Sequence, residues 1–240
     1  MFAVSRIEHL HTDGPIVVRA EKRFAHGFQA LGSYAYSSNI GTSFRNGFNL
    51  DNWLQNTGPT DFDYTHIANV AAVAQLPWQF ELALNFSYSS APPLSAYLGG
   101  IDLNGDGTMG DLLPGTTVNA LNRGTRREEL ERLVTQFNAG HALTKDAEGS
   151  TIPRLLLPPG YTFGDAFSSV DLRLSRSFVF QDRWRSTLIG EVFNLANKAN
   201  LTGYSGDLTS PAFGLPTMRA TQLFGSGGPR AFQLALKLSF

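Results

Sequence analysis

The sequence predicts an all-β fold: a transmembrane antiparallel β-barrel that is incomplete, with about seven C-terminal strands and long extracellular loops. Three observations predict it. Apolar and polar residues alternate with a period of two along several segments, as in strands with two different faces. Short and long connections alternate between these segments, and most charged residues fall on the polar side of the alternation. Bacterial barrels take an even number of strands, so either one strand escapes the pattern or the chain belongs to a larger barrel.

Seven segments carry the alternation, and in chain order they cover residues 16–24, 28–36, 66–76, 80–89, 169–180, 184–195 and 231–240. Segments 80–89, 169–180 and 231–240 show it most strongly. Each segment is close to the roughly 9–11 residues with which a tilted strand crosses a bilayer. We therefore expect seven membrane-spanning strands.

The connections separate into two kinds. Those at 25–27, 77–78 and 181–182 are short enough for tight hairpins, whereas those at about 37–65, 90–167 and 196–228 are long. An outer-membrane barrel has short periplasmic turns and long extracellular loops, so this asymmetry favours a barrel. Alternation alone would also fit a secreted, soluble β-sandwich that binds carbohydrate or calcium, and this is the alternative interpretation.

Composition excludes several classes of protein. The 240 residues include 19 Lys and Arg against 20 Asp and Glu, so there is no excess of basic charge for nucleic-acid binding. The absence of Cys excludes disulfides, thiolate zinc sites and a cysteine nucleophile. No apolar run approaches the roughly 18 residues of a membrane helix. Residues 1–15 lack the basic and apolar regions of a signal peptide, so none is expected.

The distribution of charged residues supports a lipid-facing side and a wet side of the strands. The charged residues on the polar phase are Arg19, Glu21, Arg23, Glu81, Asp171, Arg173, Glu191 and Lys237. Lys22 and Arg176 are exceptions near short turns, where a long side chain reaches the interface. We expect the wet-side acids Asp171 and Glu191 to pair with Arg173 or Arg185 rather than to act in catalysis.

Several segments together resemble a known family. They are 21–28 (EKRFAHGF), 61–66 (DFDYTH), 167–178 (FSSVDLRLSRSF), 191–198 (EVFNLANK) and 228–240 (GPRAFQLALKLSF). In this order they resemble the C-terminal barrel of Oar-like TonB-dependent outer-membrane receptors and transporters. The resemblance extends over nearly the whole chain and is most specific over residues 167–240.

The resemblance implies a barrel of about 22 strands with an N-terminal plug, in the outer membrane, that takes up a large ligand with energy from TonB. Residues 1–240 show no signal peptide, TonB box or plug, so they are expected to form only the C-terminal part of such a barrel. The implied partners are outer-membrane lipid, the barrel-assembly machinery and, through the missing plug alone, TonB. In this family the assembly machinery reads a terminal strand, which here carries Phe232, Leu234, Leu236, Leu238 and Phe240.

A possible calcium loop lies in the second long connection. Asp102, Asn104 and Asp106 occupy positions 1, 3 and 5 of the calcium-loop pattern, with a glycine at position 6 and Thr108 offering its backbone carbonyl. The bidentate Glu of position 12 is absent, and Asp111 replaces it only in part. We therefore expect weak Ca²⁺ binding as the one possible cofactor interaction, or else a cluster of Asx turns in a solvated loop.

The long loops also carry aromatic residues that are candidate ligand contacts, namely Phe44, Phe48, Trp53, Tyr97 and Tyr204. Aromatic side chains in polar loops are common recognition anchors, although these could equally pack the loops together.

A helix is predicted from a capping box at Thr125–Glu128 to a stop at Gly140. Its apolar side should pack locally, and it consists of Leu130, Leu133, Val134 and Phe137. The sequence shows no spacing of nucleophile, base or metal ligands typical of an enzyme, so no catalytic activity is expected.

Overall fold

A computed structural model describes residues 3–9, 15–42, 48–180, 184–220 and 227–240. Within these ranges the chain forms strands and little helix. The strands are β1 (Ala3–His9), β2 (Ile16–Ala25), β3 (Phe28–Tyr36), β4 (Ile40–Thr42), β5 (Thr57–Pro59), β6 (His66–Leu76), β7 (Phe80–Ser89), β8 (Phe167–Phe180), β9 (Trp184–Phe193), β10 (Leu201–Thr202), β11 (Met218–Arg219) and β12 (Ala231–Ser239). The α-helix is α1 (Arg127–His141), and short 3₁₀ turns cover Trp53–Asn56 and Pro77–Gln79.

Eight strands form one antiparallel sheet in the order β1-β2-β3-β6-β7-β8-β9-β12. The all-β prediction and all seven predicted strands are confirmed, but the count was one short because β1 was missed. Val4 pairs with Ala20 whereas Arg6 pairs with Arg19, so the register shifts within β1. Such a shift interrupts the period of two that identifies a strand. The predicted hairpin at 181–182 lies outside the described residues.

Register places the two phases on opposite faces. Residues directly opposite each other in a sheet share a face, and Leu84 pairs with Ala72 on one side and with Leu172 on the other. The same pairing continues through the sheet from β2 to β12, so even-numbered residues share one face and odd-numbered residues the other. The exception is a register shift at the end of β2, where Ala25 pairs with Phe28. The even face is mainly apolar. On the odd face Arg173 pairs with Glu191, with 3.8 Å between Nε and Oε1, as predicted for wet-side charges.

The sandwich alternative is wrong for the described residues. A sandwich would bury its apolar rows between two sheets, yet the long strands form one sheet, and Leu234 and Phe240 are 83% and 87% exposed.

The two cations on the even face lie against aromatic rings. The ammonium of Lys22 is 5.3 Å from the Phe28 ring centre, and the guanidinium carbon of Arg176 is 4.9 Å from that of Phe80.

Strands β1 and β12 are the two edges of the sheet. Within the described residues each edge strand pairs with one neighbour, β1 with β2 and β12 with β9, and they do not pair with each other. As far as the structure describes the chain, the sheet is therefore open, and this arc has unpaired backbone groups along both outer edges.

The hydrophobic core lies in the long connections rather than between sheets. We call the described residues of these connections, 37–42, 48–65, 90–166 and 194–220, the cap. The buried apolar cluster of the cap consists of Ala96, Leu98, Ile101, Leu113, Leu121, Leu130, Leu133, Val134, Phe137, Ile152, Leu155, Tyr161, Leu208 and Phe213. The long loops thus fold into a packed unit.

Helix α1 supplies part of this core, since its four predicted apolar residues are all buried. The predicted capping box is wrong: the helix begins at Arg127, and its N-cap residue Arg126 makes no side-chain capping bond. Thr125 instead donates its backbone N–H to the Ala120 carbonyl at 3.1 Å, which holds it in the preceding turn. Gly140 lies inside the helix, which ends at His141. No helix in the described ranges has the length and apolar character to cross a bilayer.

Candidate ligand-binding site in the cap

An ion pair joins the first long connection to the second. The Nε of Arg123 donates to Oδ2 of Asp63 at 2.6 Å, and Asp63 is only 1% exposed. The same guanidinium donates to the Asp63 carbonyl and, at 3.2 Å, to the Ala91 carbonyl. The backbone N–H of Asn39 donates to the other Asp63 oxygen at 2.8 Å. Because the buried charges are paired and hydrogen-bonded, they fix the two connections relative to each other.

Two buried asparagines join the cap to the sheet. Asn200 donates to the carbonyls of Ser168 and Gly227, both at 3.0 Å, and accepts from the Ser168 N–H at 2.9 Å. Asn194 donates its backbone N–H to Oδ1 of Asp171 on β8 at 2.8 Å and has a φ of 48°. Asparagine tolerates this left-handed backbone better than most residues. The sequence analysis missed these residues, although the clustered asparagines at 194–200 were a signal for turns.

A cavity of about 340 Å³ opens in the cap beside these connections. Its wall contains four aromatic side chains, Phe48, Tyr97, Phe163 and Tyr204, and two carboxylates, Asp61 and Asp165. Phe48 is 8% exposed, and its ring packs against that of Tyr97 with 5.9 Å between the centroids.

The structure thus brings three of the five predicted aromatic residues together: Phe48, Tyr97 and Tyr204. Trp53 does not line this cavity and is 44% exposed on a 3₁₀ turn. Phe44 lies outside the described residues. Phe163 and the two carboxylates were missed, because they are distant in sequence and become neighbours only through the tertiary fold of the cap.

The phenols of the cavity hold their protons. Burial raises the pKa of Tyr204 to about 12, helped by its hydrogen bond to Asp165 and the negative charge of that carboxylate. Burial, followed by the negative charge of Asp207, also raises the pKa of Tyr97. Among the described residues that line the cavity there is no Lys, Arg or His. The cavity therefore combines aromatic rings with two acidic side chains.

The predicted calcium loop folds as a hydrogen-bonded cluster. The buried Asp102 accepts from the N–H groups of Gly105 at 2.6 Å and Gly107 at 2.9 Å. Asp106 accepts from the Thr108 N–H at 2.8 Å and from the Leu50 N–H at 2.6 Å.

Asp111 completes this cluster, because one of its oxygens accepts from the N–H groups of Leu103 and Asn104. Burial and the nearby charges of Asp106 and Asp102 raise the pKa of Asp111 despite these two bonds. Within the described ranges, no three His, Cys, Asp or Glu residues are grouped so that they could hold a metal ion. The geometry is that of the Asx-turn alternative, and Ca²⁺ binding stays a prediction.

The predicted assembly signal lies on the edge strand β12. The even-numbered side chains of this strand, and that of the residue that follows it, belong to the apolar face and are well exposed. They are Phe232, Leu234, Leu236, Leu238 and Phe240. The ring of Phe240 lies 5.2 Å from that of Trp184 on the neighbouring strand. The strand is thus placed where another element could read it, and recognition by the assembly machinery stays a prediction.

Comparison with known families gives one match. The family model described as an outer membrane beta barrel domain matches residues 16–233, which include β2 to β9, the cap and the start of β12. No curated protein and no solved structure matches the chain.

Proposed function

The chain belongs to the outer membrane beta barrel domain family, and from this premise we propose that it forms the C-terminal part of the barrel of a TonB-dependent, Oar-like receptor. Membership confirms two of the predictions: the fold is an all-β barrel fold, and the protein is located in the outer membrane. The receptor type, the transport function and the ligand are our proposal.

The observation that carries the proposal is the open arc beneath a folded cap. Backbone groups of a sheet edge in hydrocarbon lack water as a partner, and each unsatisfied group costs several kcal/mol. In this proposal the edges of β1 and β12 each pair with a further strand in the membrane. A larger receptor barrel supplies such strands. The last strand of that barrel would be β12, which would pair with one of the further strands.

In this proposal the cap is the capture surface. Its packed core holds the aromatic cavity in a fixed shape, whereas a set of mobile loops would lose conformational freedom on binding. Energy-coupled uptake then depends on a plug, supplied elsewhere in the receptor, that contacts TonB. The chain has no catalytic role in this scheme, and its other partners are lipid and the barrel-assembly machinery.

The test begins with the genomic DNA upstream of the codon for Met1. An in-frame continuation that encodes a plug and further strands is expected. The tagged product of that longer gene should run as a heat-modifiable barrel from the outer-membrane fraction and should retain the purified periplasmic domain of TonB. If the 240-residue chain alone forms a closed, heat-modifiable barrel and the longer product ignores TonB, the receptor assignment is wrong.

As a second role we propose weak Ca²⁺ binding by the loop at 102–111. The calcium-loop spacing of Asp102, Asn104 and Asp106, with Asp111 as a partial substitute for the last ligand, favours it, because oxygen ligands suit a hard cation. These carboxylates would have to move towards a common ion, since no three acidic residues in the described ranges are grouped to hold one. The existing backbone bonds to these carboxylates are the argument for low affinity, since Ca²⁺ would compete with them.

Calcium is expected to raise the melting temperature of the cap in the detergent-solubilised protein, and EGTA should reverse the shift. The Kd is expected to be about 10⁻⁴–10⁻³ M. Free Ca²⁺ at about ten times the Kd then stabilises the folded cap by about 1.4 kcal/mol. Asp106→Ala should abolish the shift, while Glu148→Gln, an exposed acid outside the cluster, should retain it. Equal shifts with Ca²⁺ and Mg²⁺ in both variants would contradict a specific site.

A further inference from the structure

We propose that the cavity of the cap binds an organic cation, a guanidinium or alkylammonium group carried by the captured ligand. The inference rests on the proposed function in taking the cap as the capture surface, and it adds the chemical class of the ligand.

Charge is the first argument. Asp61 and Asp165 are both exposed on the cavity wall, so a ligand reaches them from solvent. Asn119 donates to Oδ1 of Asp61 at 2.9 Å, and its own Oδ1 accepts from the Ser95 hydroxyl at 3.0 Å. The Asp61 carboxylate is thus held by a side chain that is itself fixed. With no basic side chain among the described lining residues, an anion would meet only repulsion there.

Aromatic faces are the second argument. The rings of Phe48, Tyr97, Phe163 and Tyr204 line the same cavity as the two carboxylates. The electron-rich face of an aromatic ring attracts a cation, and several rings together form the cages that bind alkylated ammonium groups.

Size is the third argument. A volume of about 340 Å³ is near the small end of the range for small-molecule pockets, about 300–1,000 Å³. It accommodates a group of the size of an arginine side chain or a choline headgroup. A large ligand would therefore place one cationic group here and contact the rest of the cap with its remaining surface.

A neutral sugar is the competing ligand, since sugar sites also combine aromatic rings with carboxylates. The two differ in their dependence on charge. A cation should lose affinity when a carboxylate is neutralised and when salt screens the site, whereas a neutral ligand needs only the hydrogen bonds and the ring.

The experiment compares butylguanidinium with butylurea, which has nearly the same shape without the charge. Both are titrated by calorimetry into the detergent-solubilised 240-residue protein, with D-glucose as a third probe. We expect butylguanidinium to bind at least about ten-fold more tightly than butylurea at low salt. Raising the salt from about 0.05 M to about 0.5 M should remove most of that difference.

Variants then locate the site. Asp165→Asn and Asp61→Asn are each expected to weaken butylguanidinium binding about three- to ten-fold without changing that of butylurea. Glu148→Gln removes the same charge from an exposed position outside the cavity and is the matched control. Tyr97→Leu should weaken binding, while Phe62→Leu, at a position 75% exposed and absent from the lining, should leave it unchanged.

Equal affinity for the two butyl probes, or tighter binding of glucose that survives Asp165→Asn, would overturn the inference. The comparison of probes uses the unaltered protein, so a variant that fails to fold does not affect it. Binding here is separate from retention of TonB by the longer receptor. Loss of selectivity with TonB retained would reject the ligand class alone, and selectivity without TonB would reject the receptor type alone.

Discussion

Leu84→Arg is expected to destabilise the sheet in a bilayer by about 2–4 kcal/mol, because it places a charge on the lipid-facing side near the middle of β7. The next residue provides the matched control. Asn85 lies on the odd face opposite Asp171, so Asn85→Arg puts the same charge on the wet side, beside a carboxylate. The second substitution should cost less than about 1 kcal/mol or stabilise slightly.

Both variants are to be measured in the longer receptor by urea titration of barrel folding in lipid vesicles. Tryptophan fluorescence and the heat-modifiable fraction report the folded population. If the two arginines cost the same, the assignment of the even face to lipid would be wrong. A larger cost for Asn85→Arg would indicate that the sheet is inverted relative to the membrane.

Arg123→Ala is expected to destabilise the cap by about 3–5 kcal/mol, the cost of leaving one charge of a buried pair without its partner. Asp63, which is 1% exposed, would be left inside the cap without its cationic partner. The carbonyl of Ala91 would also lose its donor. Limited proteolysis of the long connections and near-UV circular dichroism of the cap measure the effect.

Arg154→Ala is the control for this prediction, because Arg154 is exposed and its removal should change cap stability by less than about 0.5 kcal/mol. The double variant Arg123→Leu and Asp63→Leu removes both charges and should recover part of the loss. A cap that resists protease equally well in Arg123→Ala would contradict a structural role for the pair.

The sheet was largely predictable from the sequence. The residues of β7 and β12 follow a strict period of two, and turn residues precede them, so their two faces could be identified. β1 was not predictable from this signal because its register shifts between Val4 and Arg6. The start of β8 was also harder to predict. The strand begins at Phe167, but Ser168 lies on the apolar phase without being apolar.

The cap was predictable only in part. The apolar spacing of α1 fixed which of its residues are buried, but its first residue depended on a turn bond of Thr125 that no local pattern shows. The cavity depends on distant segments, since Phe48, Phe163 and Tyr204 lie on three different connections. Sequence could identify loop aromatics as a class, whereas their grouping with Asp61 and Asp165 required the tertiary fold.

The division into a regular arc and an irregular cap sets different rules for insertions and deletions. Removing one residue inside β7 would turn every later side chain of that strand to the opposite face, placing Asn85 and Ser87 in lipid. Two residues lost together would preserve the faces. The cap has no such period, so its exposed turns accept length changes of any parity, and new recognition surfaces can arise there without disturbing the membrane wall.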